Sequence, residues 1–142
     1  MREASKADIP KLIELEKLCF PDPWTEDIFE DEMNNPLVTY HLYFNGDEII
    51  GYIGFLVVAD ECQINNVAVH PDYRRRGLGR EMVDCIIRQT EEQGIKFWLL
   101  EVRAKNEAAI GLYEDFGFIK VGMRRNYYGE GEDAILMTRE IE

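Results

Sequence analysis

Positive charge is scarce in this 142-residue chain: 16 Lys and Arg stand against 28 Asp and Glu, a net charge of −12. So acidic a chain repels a phosphate backbone, which argues against non-specific, direct nucleic-acid binding and leaves room for a basic partner. Histidine is scarcer still. His41 and His70 are the only two, neither near a carboxylate or cysteine at ligand spacing, so no metal is expected. Cysteine is limited to Cys19, Cys62 and Cys85, an odd number, far apart and without a C-x-x-C pair. That fits a reduced, cytoplasmic protein with buried thiols better than a disulfide framework. Long apolar runs are missing too. The longest, Gly51–Ala59, is far too short to span a bilayer, so no membrane partner is expected. The opening residues "MREASKADIPKLIELEKL" are charged throughout, with no apolar core of a signal peptide.

What remains is an ordinary globular composition, 46% hydrophobic and 31% charged, in a chain long enough to bury a core. Nothing in it repeats, and no linker divides it, so a single domain over residues 1–142 is expected. Asp8 can cap a helix to about Cys19, with Ile9, Leu12, Ile13, Leu15, Glu16 and Cys19 on one face. Thr25 followed by acids starts a second helix that ends near Asn34-Asn35-Pro36. "TYHLYF" and "EIIGYIGFLVV" read as a hairpin across Asn45-Gly46, and Ala59-Asp60 turns into "CQINNVAV", giving an antiparallel meander. Arg80–Gln93 reads as a helix closed by Gly94, "KFWLLEV" as a buried strand, and "NEAAIGLYEDF" as a short helix stopped by Gly117. "FIKVGMR" and "DAILMTREI" form a last strand pair. Asn66–Val69, the helix and Phe97–Val102 make a βαβ crossover, so those two strands are expected to be parallel neighbours. The fold class is α/β: a mixed central sheet flanked by about four helices.

The scarce positive charge is not spread evenly. "NVAVHPDYRRRGLGREMV" packs Arg74, Arg75, Arg76 and Arg80 into seven positions around Gly77 and Gly79. Up to Tyr73 the chain has only 4 basic residues against 15 acidic ones. The cluster lies between a strand and a helix start, where unpaired N–H groups and the helix dipole favour an anion. Glycine lets the main chain approach a phosphate closely. It is not a Walker A loop, because Arg80-Glu81 follow Gly79 where Lys-Ser/Thr would stand. It is not a dinucleotide fingerprint either, because Met82 replaces the third glycine. From charge alone, a solvated run at a helix start remains the alternative.

"RRRGLG" resembles the R/Q-x-x-G-x-G/A pyrophosphate loop of the GNAT acyltransferases. "NVAVHPDYRRRGLGR" and "LLEVRAKNEAAIGLYEDFGF" extend the likeness, and the order of elements matches that family across essentially the whole chain. The resemblance implies acetyl-CoA as co-substrate, with no metal. It places the pantetheine arm along Val67, Ala68 and Val69. The pyrophosphate would meet the N–H groups of Arg75, Arg76, Gly77, Leu78, Gly79 and Arg80, and Asn106 would also touch the cofactor.

Acetyl transfer to an amine needs a base, because an ammonium has no lone pair, and it gains from an acid at the departing thiolate. Glu101 shares a strand face with Phe97 and Leu99, where its carboxylate is partly desolvated. An ion pair with Arg103 is the plain alternative. Tyr113 falls at helical spacing from Ile110 and Phe116, which also fits simple core packing. In the RimI-like branch, which acetylates protein N-termini, "LEVR" supplies the base and "LYE" the acid, motifs that fall on Glu101 and Tyr113. Glu61, at the start of the preceding strand, is the alternative base. Trp24, between the first two helices, and Tyr127 and Tyr128, in "RRNYY" before the last strand, are loop aromatics able to frame a substrate. Glu26, Asp27, Glu30, Asp31 and Glu32 could attract a basic peptide. The resemblance implies the N-terminal alanine of a small-subunit ribosomal protein as target. The rivals are acetylation of lysine side chains or a small amine, and a non-catalytic CoA-binding module, against which Glu101 and Tyr113 speak.

Overall fold

A computed structural model describes residues 1–141. Its elements are β1 (Arg2–Glu3), α1 (Ile9–Cys19), α2 (Glu26–Asn34), β2 (Val38–Asn45), β3 (Glu48–Val58), β4 (Glu61–Val69), α3 (Leu78–Glu92), β5 (Phe97–Arg103), α4 (Glu107–Asp115), β6 (Ile119–Gly129) and β7 (Glu132–Glu140). The strands form one mixed sheet in the order β1-β2-β3-β4-β5-β7-β6. Contacts divide the chain into two compact units, Met1–Leu56 with Asn66–Cys85 and Val57–Asn65 with Ile86–Glu142. The boundaries fall inside β3, β4 and α3 rather than in linkers.

In the first unit, the apolar stripe of α1 brings Ile9, Leu12 and Leu15 against Phe29 of α2, Tyr40 and Leu42 of β2, Ile49 and Tyr52 of β3, and Ala68 of β4. Burying each large apolar side chain here contributes roughly 1.5–3 kcal/mol. Asp8 precedes α1 as expected but does not cap it through its side chain. Its carboxylate turns back to the Arg2 guanidinium at 2.7 and 2.8 Å and to the Ser5 N–H at 2.8 Å. A two-pronged charge-assisted pair outcompetes a single N-cap bond. Thr25 does cap α2, its hydroxyl accepting the Ile28 N–H at 3.4 Å.

The β2–β3 hairpin closes one residue later than the Asn45-Gly46 signal. Asn45 pairs with Glu48, so Gly46 and Asp47 form the loop, and Gly46 takes the left-handed φ of +61°. A bulge between Tyr43 and Phe44 absorbs the shift. Gly54 lies opposite Tyr40, where a Cβ would come within 2.5 Å of the tyrosine ring. Ala59 makes the next turn at φ +55°.

In the second unit, β4 and β5 are parallel, as the crossover requires. The paired residues are not Asn66–Val69, however. The ladder runs from Glu61–Phe97 to Ile64–Leu100, so Val67, Ala68 and Val69 lie beyond it. β5 pairs with β7, and β7 with β6. Trp98 is fully buried, its indole N–H donating to Thr90 at 2.9 Å and its ring covered by Arg139 at 4.4 Å. Cys62 is buried, whereas Cys19 and Cys85 are only half-buried, so the expectation of three buried thiols holds for one. "RRNYY" belongs to β6 rather than to a loop. Its pairing with β7 is broken between Arg124 and Gly129, and Asn126 sits at φ +55°. Asn126, a residue type that favours turns and tolerates the left-handed region, stands in the middle of the stretch, so an irregular strand reads like a loop.

Candidate active site

The arginine–glycine loop follows β4 and begins with a short 3-10 turn, Pro71–Tyr73. α3 starts at Leu78 rather than Arg80, so Leu78, Gly79 and Arg80 form its first turn. Its first turn-closing bond runs from the Glu81 N–H to the Gly77 carbonyl at 3.0 Å. The N–H groups just ahead, at Gly77, Leu78 and Gly79, have no carbonyl to reach within the helix. Arg75 and Gly77 both take left-handed φ values, +65° and +83°. For arginine that conformation is uncommon and strained. Nothing lies within 4 Å of where a Gly77 Cβ would be. Arg75, Arg76 and Arg80 are exposed, with Arg76 over the Tyr73 ring at 5.3 Å. Amides without a carbonyl partner in the helix, an open glycine and clustered guanidinium groups fit a diphosphate.

Arg74 faces elsewhere. Its Nε donates to the Val69 carbonyl at 3.0 Å, which also accepts the Cys19 thiol at 3.3 Å. Ala68 is buried in the core, while Val67 and Val69 are half-buried. Trp24 precedes α2 as expected, half-buried, its ring edge-on to Phe29 at 5.4 Å.

The second unit brings Glu101, Tyr113, Tyr127 and Tyr128 together. On β5 the side chains alternate between a buried row, Trp98, Leu100 and Val102, and a half-buried row, Phe97, Leu99, Glu101 and Arg103. The Glu101 side chain is 21% exposed and lies 3.4 Å from Arg124 Nε. Arg103, the ion-pair partner of the plain alternative, is not the cation beside it. Arg103 covers the Tyr128 ring at 4.2 Å and approaches Glu132 at 4.0 Å. Arg124 in turn stands over Tyr127 at 5.5 Å, and Tyr127 meets Tyr128 edge-to-face at 5.1 Å.

Burial and the nearby Glu101 charge both raise the Tyr128 pKa. Burial first, and then Tyr128, raise that of Tyr113 well above the ordinary tyrosine range. Tyr128 is therefore neighbour to both. Tyr113 packs edge-on to Phe118 at 5.8 Å, so the core role and a protonated hydroxyl coexist. Asn106 is exposed, and its Oδ1 caps α4 by accepting the Ala109 N–H at 3.1 Å. Glu61 is exposed at the far end of the β4–β5 ladder, paired with Phe97, about 13 Å along β5 from Glu101 at the usual strand rise. Among the described residues no cluster of three or more His, Cys, Asp or Glu could hold a metal. No helix among them is long and apolar enough to cross a membrane.

Residues 9–118 match the acetyltransferase (GNAT) family. The chain belongs to that family. Among relatives, it is 39% identical over 137 residues to the [ribosomal protein bS18]-alanine N-acetyltransferase of Escherichia coli (strain K12), covering 94% of this chain and 92% of that one. It is 34% identical over 143 residues to N-alpha-acetyltransferase RimI of Mycobacterium tuberculosis, covering 96% and 89%. Among solved structures, the ribosomal-protein-S18-alanine N-acetyltransferase of Escherichia coli superimposes with a TM-score of 0.90 at 34% identity, over 99% of this chain and 92% of that one. The mixed sheet and four helices are thus a GNAT fold, and acetyl-CoA is the acyl donor that GNAT enzymes use.

One participant escaped sequence reasoning. The register through β7 puts Gly122 in the row of Leu136 and Glu101, and Arg124 in the next same-face row with Ala134 and Arg103, so the Arg124 side chain reaches Glu101 on the diagonal. Nothing in sequence spacing signals that register.

Proposed function

We propose that this chain, acting as one catalytic domain over residues 1–142 in the cytoplasm, acetylates the N-terminal α-amino group of a protein. The target is the N-terminal alanine of a small-subunit ribosomal protein. The observation that carries the reading is Glu101, a half-buried carboxylate grouped with Tyr128 and Tyr113 in the RimI-like pattern. Glu101 takes a proton from the substrate ammonium, directly or through a water. The freed amine attacks the thioester carbonyl in a ternary complex, and the C–S bond breaks. Tyr113, kept protonated by burial, delivers its proton to the thiolate, and the second proton that the nitrogen sheds as the amide forms restores the tyrosine by way of water. No acyl-enzyme forms: Cys85 lies in mid-helix.

Arg75, Arg76, Gly77, Leu78, Gly79 and Arg80 bind the diphosphate of acetyl-CoA, the main chain of Val67, Ala68 and Val69 holds the pantetheine arm, and Asn106 adds a contact. Trp24, Tyr127 and Tyr128 wall the peptide; the 53% exposure of Tyr127 leaves its ring available. The name of the Escherichia coli relative supports the ribosomal target. The test is acetyl transfer from acetyl-CoA to a panel of N-terminal peptides, with N-blocked lysine peptides as controls. Turnover of the blocked lysine peptides at equal or higher rate would replace this reading with side-chain acetylation.

A further inference from the structure

We propose that Glu16 is a positioning residue that fixes the Trp24 segment as a wall of the peptide site, an inference that rests on the peptide reading above. Glu16 lies on α1 and is only 2% exposed. It stands beside a cluster of aromatic rings in which Phe29, Tyr40 and Tyr52 pack on one another at centroid distances of 5.8–6.4 Å. No cation pairs with it among the described residues, and burial raises its pKa. A lone carboxylate in such a place costs stability, and a neutral side chain of the same shape would cost less.

What the carboxylate does is accept two hydrogen bonds at once. Oε1 takes the main-chain N–H of Trp24 at 3.2 Å, and Oε2 takes the Tyr52 hydroxyl. The Trp24 N–H is well placed to be seized, because Pro21 and Pro23 on either side of Asp22 offer no donors. The segment between α1 and α2 is thereby tied to β3 through a buried charge.

The contact chain continues beyond Tyr52. The Asn66 amide lies against the Tyr52 hydroxyl and favours its ionised form. Asn66 immediately precedes Val67, Ala68 and Val69, and its own Oδ1 is buried without a partner. One carboxylate therefore sets the Trp24 segment and the strand proposed for the pantetheine arm in a fixed relation. Glutamine could keep one of the two bonds. It would then turn an N–H toward the other donor, so the tie would loosen without a change of volume.

The test uses the intact protein labelled with 5-fluorotryptophan, which carries only two reporters, Trp24 and Trp98. In Glu16→Gln, the fluorine resonance of Trp24 is expected to broaden and move toward that of free tryptophan, while the Trp98 resonance stays. Peptide KM rises about tenfold, with kcat and acetyl-CoA affinity within about twofold of wild type. Asp8→Asn is the control: it removes another buried carboxylate of the same unit and leaves both the Trp24 resonance and peptide KM in place. Tyr52→Phe, which deletes only the hydroxyl, gives the same readings if Glu16→Gln does not fold. An unmoved Trp24 resonance, or a moved one with unchanged peptide KM, overturns the proposal. Wild-type protein that acetylates no N-terminal peptide would sink the peptide reading instead, and the resonance would still decide whether Glu16 holds Trp24.

Discussion

Arg124 Nε stands 3.4 Å from a carboxylate oxygen of Glu101, and it does so from a side chain that is 55% exposed. An ion pair open to water on one side contributes at most about 1 kcal/mol to stability. Glu101→Gln and Arg124→Gln should therefore both unfold near the wild-type temperature. Their kinetics should part: Glu101→Gln lowers kcat by roughly 10²–10⁴-fold with acetyl-CoA affinity unchanged. A Glu101→Gln variant that loses stability but keeps its rate would make the pair structural and return the search for a base to Glu61.

Tyr113 separates packing from proton delivery. Tyr113→Phe keeps the ring against Phe118 and deletes only the hydroxyl. Its melting temperature should match wild type while kcat falls about 10²-fold or more. An unchanged kcat, measured at saturating acetyl-CoA, would leave Tyr113 a core residue only.

The left-handed φ of Gly77, with open space at its Cβ position, makes three substitutions informative. Gly77→Asn, which tolerates that conformation, should keep most of the acetyl-CoA affinity. Gly77→Ala meets no atom but carries a backbone penalty of about 1–2 kcal/mol, and so should bind more weakly. Gly77→Glu should nearly abolish binding by setting negative charge beside the diphosphate. Calorimetry on folded variants with equal affinities would remove the loop from the cofactor site.

The net charge of −12 gives a salt-sensitive substrate preference. Peptides that begin with Ala and continue with Lys or Arg should outrun acidic ones, and the gap should narrow as salt screens the charges. A preference independent of ionic strength would assign it to shape alone.

Two buried carboxylates predict opposite pH slopes. The Arg2 guanidinium lowers the Asp8 pKa from 3.8 to about 2, so its contribution is fully present above pH 4 and lost as pH falls toward 2. Burial raises the Glu16 pKa, so the folded state holds its proton longer than the unfolded chain. Stability then declines as pH rises through the interval between the two Glu16 values. Chemical denaturation of Asp8→Asn and Glu16→Gln across pH 2–7 should abolish the first slope and the second, respectively.

Much of this was written in local chemistry. Thr25 before Glu26 and Asp27, and glycines at 94 and 117, announce helix ends, because caps depend on a few adjacent residues. "RRRGLG" announces an anion site for the same reason. What escaped depends on partners beyond the immediate sequence neighbours. Asp8 looked like a cap until Arg2 was near enough to claim it. Arg103 looked like a mate for Glu101 because strand alternation puts them on one face, but Arg124, two strands away on β6, reaches the carboxylate on the diagonal instead. Glu16 read as one polar residue on an apolar stripe, and its two donors lie 8 and 36 positions away.

The place of β7 in the sheet bears on how the molecule is made. It comes last along the chain, yet it lies between β5 and β6. Neither of those strands can complete its edge until the chain has passed Glu132–Glu140. Until then β6 exposes Ile119, Val121 and Met123, which remain 49–64% exposed even in the finished fold. Until β7 is made, a growing chain thus carries unpaired strand edges beside exposed apolar side chains, the kind of edge that captures other chains. Slow-translating codons within β7 should lower soluble yield, and the same codons placed in α1 should not.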